Sequence, residues 1–171
     1  MQAFPYNLKA WIEEHRHLLK PPVGNKMVWK DTEFLVMIVG GPNRRKDYHI
    51  EEGEEFFYQI EGDIVVRIME DGAPRDIEVK QGDMFLLPPR VPHSPQRPEN
   101  TVGMVIERVR KAGELDHLRW YCESCGEVLH DSAFQLEDLG TQLKPIIENF
   151  YADESLRSCK KCNTVMQVPQ R

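Results

Sequence analysis

The sequence predicts an all-β fold, a closed barrel or double-sheet jelly roll, preceded by one helix and followed by a small metal-binding appendage. Three observations carry this expectation. Between residues 27 and 110, short runs rich in β-branched and aromatic residues alternate with turn residues. Ahead of them, apolar residues recur at helical spacing as far as Pro21-Pro22. Beyond Gly113 the character changes, and two Cys-x-x-Cys pairs appear.

In chain order, Asn7 suits the N-cap of the first helix, and Leu8, Trp11, Ile12, Leu18 and Leu19 fall near one face. His15 and His17 lie two apart on that helix, point in different directions, and read as surface or packing residues. Pro21-Pro22 stops the helix, and Val23-Gly24-Asn25-Lys26 reads as a turn. Strands are expected over 33–39, 55–60, 64–69, 75–79, 84–87 and 103–109, separated by Gly-, Pro-, Asn- and Asp-containing turns. Near the C-terminus, Leu136, Leu139, Leu143, Ile146, Ile147 and Phe150 have helical spacing, broken by Gly140 and Pro145. The expected division is a barrel with its helix over 1–112 and an appendage over 113–171 that has little core of its own.

Composition removes several function classes. The formal charge is -6, from 22 Lys plus Arg against 28 Asp plus Glu, which argues against a nucleic-acid partner. The longest apolar run, 34–39, falls far short of the roughly 20 residues a membrane span needs. No export signal is visible, so the expected compartment is the cytoplasm, where cysteines serve as thiols or metal ligands more often than as disulfides.

Two histidines and a glutamate form the first chemical constellation. His49 follows a Gly/Pro turn, Glu55 opens the next apolar strand, and His93 stands in a Pro-rich corner. Two neutral imidazoles and one carboxylate bind a divalent first-row metal on one face and leave the opposite positions for substrate and O2, the pattern of non-haem Fe(II) sites. Each residue alone is a weak signal, since Glu55 ends the acidic run Glu51-Glu52-Gly53-Glu54-Glu55. Their joint spacing carries the reading.

Four cysteines form the second. Cys122-Glu123-Ser124-Cys125 and Cys159-Lys160-Lys161-Cys162 can each chelate one side of a metal, and together they close a tetrahedral site of four sulfurs. Gly126 and Asn163, directly after each pair, tolerate the positive φ of a metal knuckle. Such a site has no open position, so a structural role is expected, with iron or zinc both fitting the sulfur geometry. Two redox-active or free pairs are the alternative.

The spacing of His49, Glu55 and Gly62, followed by Gly82, Pro88 and His93, resembles the two motifs of the cupin superfamily over residues 40–110. The chain departs from that pattern at Asp47, where a further ligand histidine is usual, and at Arg90 and Arg97, where Gly and Asn are usual. A closer likeness runs nearly end to end. Lys20-Pro21-Pro22-Val23-Gly24-Asn25, Gly40-Gly41-Pro42-Asn43-Arg44-Arg45-Lys46-Asp47-Tyr48-His49, Glu54-Glu55-Phe56-Phe57-Tyr58-Gln59, Phe85-Leu86-Leu87-Pro88-Pro89, His93-Ser94-Pro95-Gln96-Arg97-Pro98 and Trp120-Tyr121-Cys122 resemble the 3-hydroxyanthranilate 3,4-dioxygenase family in its short microbial form.

That resemblance implies a cupin-type double-stranded β-helix. It also implies an Fe(II) enzyme that opens the ring of 3-hydroxyanthranilate beside its hydroxyl with O2, giving 2-amino-3-carboxymuconate semialdehyde in tryptophan catabolism and the route to quinolinate and NAD. It implies Arg97 on the substrate carboxylate, Arg45 near the O2 position, Glu107 bonding the amine or hydroxyl and moving protons, and Asn25 as a further pocket contact. It implies a rubredoxin-like iron, exchangeable with zinc, on the four cysteines, and a homodimer. Read without the resemblance, Arg45 belongs to a basic run that would be solvated, Arg97 and Glu107 could pair with each other, and Asp47 is either a partner for a ligand histidine or plain surface. Two other readings stay open: another cupin dioxygenase on a small carboxylated substrate, and a non-enzymatic cupin that binds a ligand.

Overall fold

The computed structural model describes residues 4–21, 24–29, 31–137 and 139–169, with backbone only at 139–141. Helix α1, Leu8–His15, starts where Asn7 accepts a hydrogen bond from the Ala10 N–H at 3.0 Å, as an N-cap should. One 3-10 turn, Arg16–Leu18, follows. The helix end expected at Pro22 and the turn position Val23 lie outside the described residues. Trp11, Ile12 and Leu19 bury their side chains on Ile38 and Val102, so α1 covers part of one sheet's outer face.

The barrel is built from β1 Asn25–Met27, β2 Phe34–Gly40, β3 Tyr48–Ile50, β4 Glu55–Glu61, β5 Ile64–Glu70, β6 Ala73–Val79, β7 Met84–Leu87, β8 His93–Gln96 and β9 Val102–Arg108. Two more strands, β10 Asp116–Tyr121 and β11 Val128–Phe134, precede α2 Leu139–Ala152 and the short α3 Glu154–Arg157. One antiparallel sheet has the order β1-β2-β9-β4-β7 and the other β11-β10-β3-β8-β5-β6. Met37, Phe57, Val66, Ile68, Val79 and Val105 fill the space between them.

Three expectations change. Asn25 and Lys26 belong to a strand rather than a turn, because β1 pairs along β2 with Asn25 opposite Val39 and Lys26 opposite Ile38. Pro145 does not break α2; it lies inside the helix. The packing of Leu143, Ile146, Ile147 and Phe150 on Trp120 outweighs the one backbone hydrogen bond that Pro removes. The C-terminal segment also has a core of its own, since Leu118, Trp120, Phe150 and Met166 are buried together. The Trp120 and Phe150 rings stack with centroids 4.1 Å apart. β10 pairs with β3, so the second sheet runs on across the boundary expected at 112/113.

Candidate active site and metal centres

The first site consists of two cross-strand pairs that face each other from opposite sheets. His49 on β3 stands directly opposite His93 on β8. Glu55 on β4 stands directly opposite Glu107 on β9. Strand alternation turns Glu55, Phe57 and Gln59 inward from β4, so the ligand side chain and the apolar floor below it come from one strand. Like charges opposite one another on neighbouring strands are destabilising. A buried Glu55–Glu107 pair therefore marks a place where function outranks stability.

His49, Glu55 and His93 are buried and bring one possible ligand atom each to within 4.8 Å of the others. The His93 Nδ1–H donates to the Val91 carbonyl at 3.0 Å, which leaves the lone pair on Nε2. That Nε2 lies 2.7 Å from Glu55 Oε2, yet Glu55 Oε2 has no aligned hydrogen-bond partner. Two electron-rich atoms converging without a hydrogen bond fit a divalent cation. Burial pulls the His93 pKa down, but the Glu55 carboxylate pushes it back above its ordinary value. Burial would raise Glu55, but His93 holds it below its ordinary value. The site therefore already favours positive charge beside Glu55. His49 is held below its ordinary value by burial, which keeps it neutral and able to act as a ligand.

The surrounding residues divide by their partners. Arg97 is buried, and among the described residues it forms no ion pair. Among the same residues its side chain makes one hydrogen bond, a long one from Nη1 to Gln59 Oε1 at 3.4 Å. Burial pushes its pKa down to about 10. A buried guanidinium without a carboxylate is costly unless an anion arrives. Asn43 fixes its backbone, with Oδ1 accepting from the Arg97 N–H at 3.0 Å and Nδ2 donating to the Pro95 carbonyl at 2.8 Å. Arg45 pairs with Asp47, its Nε donating to Asp47 Oδ2 at 3.0 Å. Asp47 is thus neither surface nor a histidine partner. Glu107 is pushed up to about 7, first by burial and then by the Glu55 charge. It does not pair with Arg97; its neighbour is Arg110, at 2.8 Å. Asn25 sits on the edge strand β1 and has no hydrogen bond to the triad among the described residues.

Sequence reasoning missed Asp116, Arg110, Glu51, Gln59 and Asn43. Asp116 Oδ2 lies 2.6 Å from His49 Nε2. Glu51 is pushed up to about 9 by burial and by Glu107. Asn43 and Gln59 stood inside the quoted blocks, but nothing in them shows which backbone or guanidinium they would hold.

At the second site the four thiols come together in the crossed pairing Cys122–Cys162, 3.5 Å between sulfurs, and Cys125–Cys159, 3.6 Å. A tetrahedron with metal–sulfur bonds of about 2.3 Å has edges of about 3.8 Å, so the donors are nearly in place. The two knuckles match: Gly126 N–H donates to the Cys122 carbonyl and Asn163 N–H to the Cys159 carbonyl, each at 2.9 Å, with φ of 72° and 61°.

The family model for 3-hydroxyanthranilic acid dioxygenase matches residues 1–151. The chain belongs to the 3-hydroxyanthranilic acid dioxygenase family. Proteins named 3-hydroxyanthranilate 3,4-dioxygenase from Xanthomonas oryzae pv. oryzae and Neurospora crassa are 52% and 49% identical to it. The alignments cover 98% and 96% of this chain and 94% and 91% of the relatives. A cupin-2 domain protein from Shewanella frigidimarina superposes with a TM-score of 0.48 at 18% identity, over 57% of this chain and 91% of that one. The chain is a barrel of two antiparallel sheets with groups able to hold metal at the histidine–glutamate triad and at the four cysteines. No helix among its described residues is long and apolar enough to cross a membrane.

Proposed function

We propose that the chain is an Fe(II)-dependent ring-cleaving dioxygenase that converts 3-hydroxyanthranilate and O2 to 2-amino-3-carboxymuconate semialdehyde, with His49, Glu55 and His93 as the iron ligands. The observation that carries the reading is Arg97, a buried guanidinium with no anionic partner among the described residues, beside a buried triad. When bound, the iron supplies Lewis acidity toward the adjacent phenol and amine and an electron source for O2.

The chain's own side chains do the rest. Arg97 takes the substrate carboxylate in a planar fork and fixes the ring's orientation. Glu107, with its pKa near neutrality, holds or releases a proton at the hydroxyl or amine. Arg45, oriented by Asp47, offers positive charge where reduced oxygen develops negative charge. Phe57 and Val105 keep the floor of the site dry. Asn25 is assigned as a pocket contact on the family likeness alone.

The four-cysteine group is proposed to hold a second, structural iron or zinc that staples residues 113–171 against the barrel. The working form is proposed to be a cytoplasmic homodimer. An apolar strip on the outer face of the first sheet supports this, with exposed Met84 and Leu86 beside Tyr58 and Phe56; sedimentation at micromolar concentration decides it.

Anaerobic reconstitution with Fe(II), followed by substrate and O2, tests the function. The expected result is the absorbance of the semialdehyde, lost in His49→Ala together with iron at that site only. No product from an iron-loaded triad would sink the reading. Turnover of 2-aminophenol equal to that of its carboxylated analogue would favour a different cupin dioxygenase and remove Arg97 from its role.

A further inference from the structure

Arg110 lies two residues beyond β9, and its side chain is 4% exposed. Its Nε and Nη2 donate to the two oxygens of Asp116, both at 2.6 Å, a bidentate fork. Nη1 donates to the Arg108 carbonyl at 3.0 Å and lies 2.7 Å from Glu51 Oε2 and 2.8 Å from Glu107 Oε2. The last two are charge contacts without hydrogen-bond alignment. Asp116 is fully buried on β10, and its Oδ2 meets His49 Nε2.

We infer that Arg110 is a positioning residue that locks the ligand imidazole of His49, through Asp116, in register with Glu107. This rests on the function proposed above. Three buried carboxylates, Asp116, Glu51 and Glu107, converge on this one guanidinium. Without it they would lose the cation they share, take up protons and be free to swing apart. The carboxylate that orients the iron ligand and the carboxylate that handles the proton would then move independently. The fork also fixes geometry that a point charge cannot, because one end holds both Asp116 oxygens while the other reaches Glu107. The two elements it joins, β9 and β10, are consecutive in the chain but lie in different sheets. Arg110 therefore ties the two halves of the site at a corner of the barrel.

The test uses the full-length chain with its four-cysteine site kept loaded. Iron(II) alone is the probe, titrated onto the triad against a competing chelator, so the result does not depend on turnover. Asp116→Asn and Arg110→Lys should each weaken iron affinity at the triad by about 10–100-fold. The double variant should lose no more than the weaker-binding single, because both act through one path. In turnover, Arg110→Lys should lower kcat by about tenfold or more while KM for substrate moves far less, since Arg97 still holds the carboxylate.

The inference is overturned if either variant keeps wild-type iron affinity, or if the double variant loses the product of the two single losses. It is also overturned if the affinity loss merely tracks a fall in the melting temperature of the metal-free protein. An absence of ring cleavage in the wild-type chain would defeat the proposed function and leave the affinity result standing.

Discussion

At the scale of single residues, the site depends on space as much as on charge. Gly103 faces inward on β9, and a Cβ there would meet Gln59 Oε1 at 2.7 Å and Arg97 Nη1 at 2.9 Å. Both neighbours are ends of flexible side chains, so Gly103→Ala should fold but displace the guanidinium. Its KM for 3-hydroxyanthranilate should rise with little change in melting temperature. Arg97→Ala should raise KM further, by roughly 10–100-fold, the size expected for losing a charge-assisted contact. Steady-state kinetics on the two variants checks the order. Part of this was visible in the chain itself: His49, Glu55 and His93 stand at motif spacing and the structure brings them together, whereas Arg97 departs from the cupin motif and was legible only through the family likeness. Asp116 was not, because it reaches His49 from 67 residues away on a strand with no motif. Arg110 was hidden too, since a buried arginine and a surface arginine look alike in a sequence.

At the scale of elements, the strands that sequence reading recovered are the ones with long β-branched or aromatic runs, such as β4 and β5. The four-residue β7 was recovered as well, but β1, β3, β8, β10 and β11 escaped. β3 spans Tyr48–Ile50, and β8 includes Pro95, so neither has the length or composition that announces a strand; pairing with β10 and β5 makes them strands. The four-cysteine reading correctly joined two distant pairs, but it underrated α2. That helix packs Phe150 and Ile147 on Trp120 and so supplies a core as well as a staple. The two contributions should separate experimentally. Phe150→Ala should destabilise the chain by about 3–5 kcal/mol, seen in denaturant melts, because a fully buried ring leaves a cavity. Cys125→Ser should remove the second metal and loosen residues 122–169 while much of β10 stays protected in hydrogen exchange.

At the scale of the whole molecule, the buried carboxylates tie stability to pH. Glu51 and Glu107 titrate in the folded chain at about 9 and about 7, above the ordinary 4.5. Folding therefore favours their protonated forms, and that stability is complete below 4.5 and is lost as pH rises through the folded values. Asp116 goes the other way: its folded value of about 2, against an ordinary 3.8, adds stability that is lost as pH falls toward 2. The metal-free protein should therefore melt at progressively lower temperature from about pH 5 to about pH 9. Glu51→Gln should flatten that decline, and a divalent ion in the triad should flatten it too by offsetting carboxylate repulsion. Melts of metal-free and iron-loaded protein across that range check it.

In the proposed function, this barrel uses one iron and one O2 to open an aminophenol ring. Turnover under oxygen-18 gas measures it most directly. The expected product is a semialdehyde that carries two labelled oxygens when trapped before its aldehyde oxygen exchanges with water, with one O2 consumed for each ring opened. A trapped product with one labelled oxygen or none, or O2 uptake that leaves the ring intact, would contradict it.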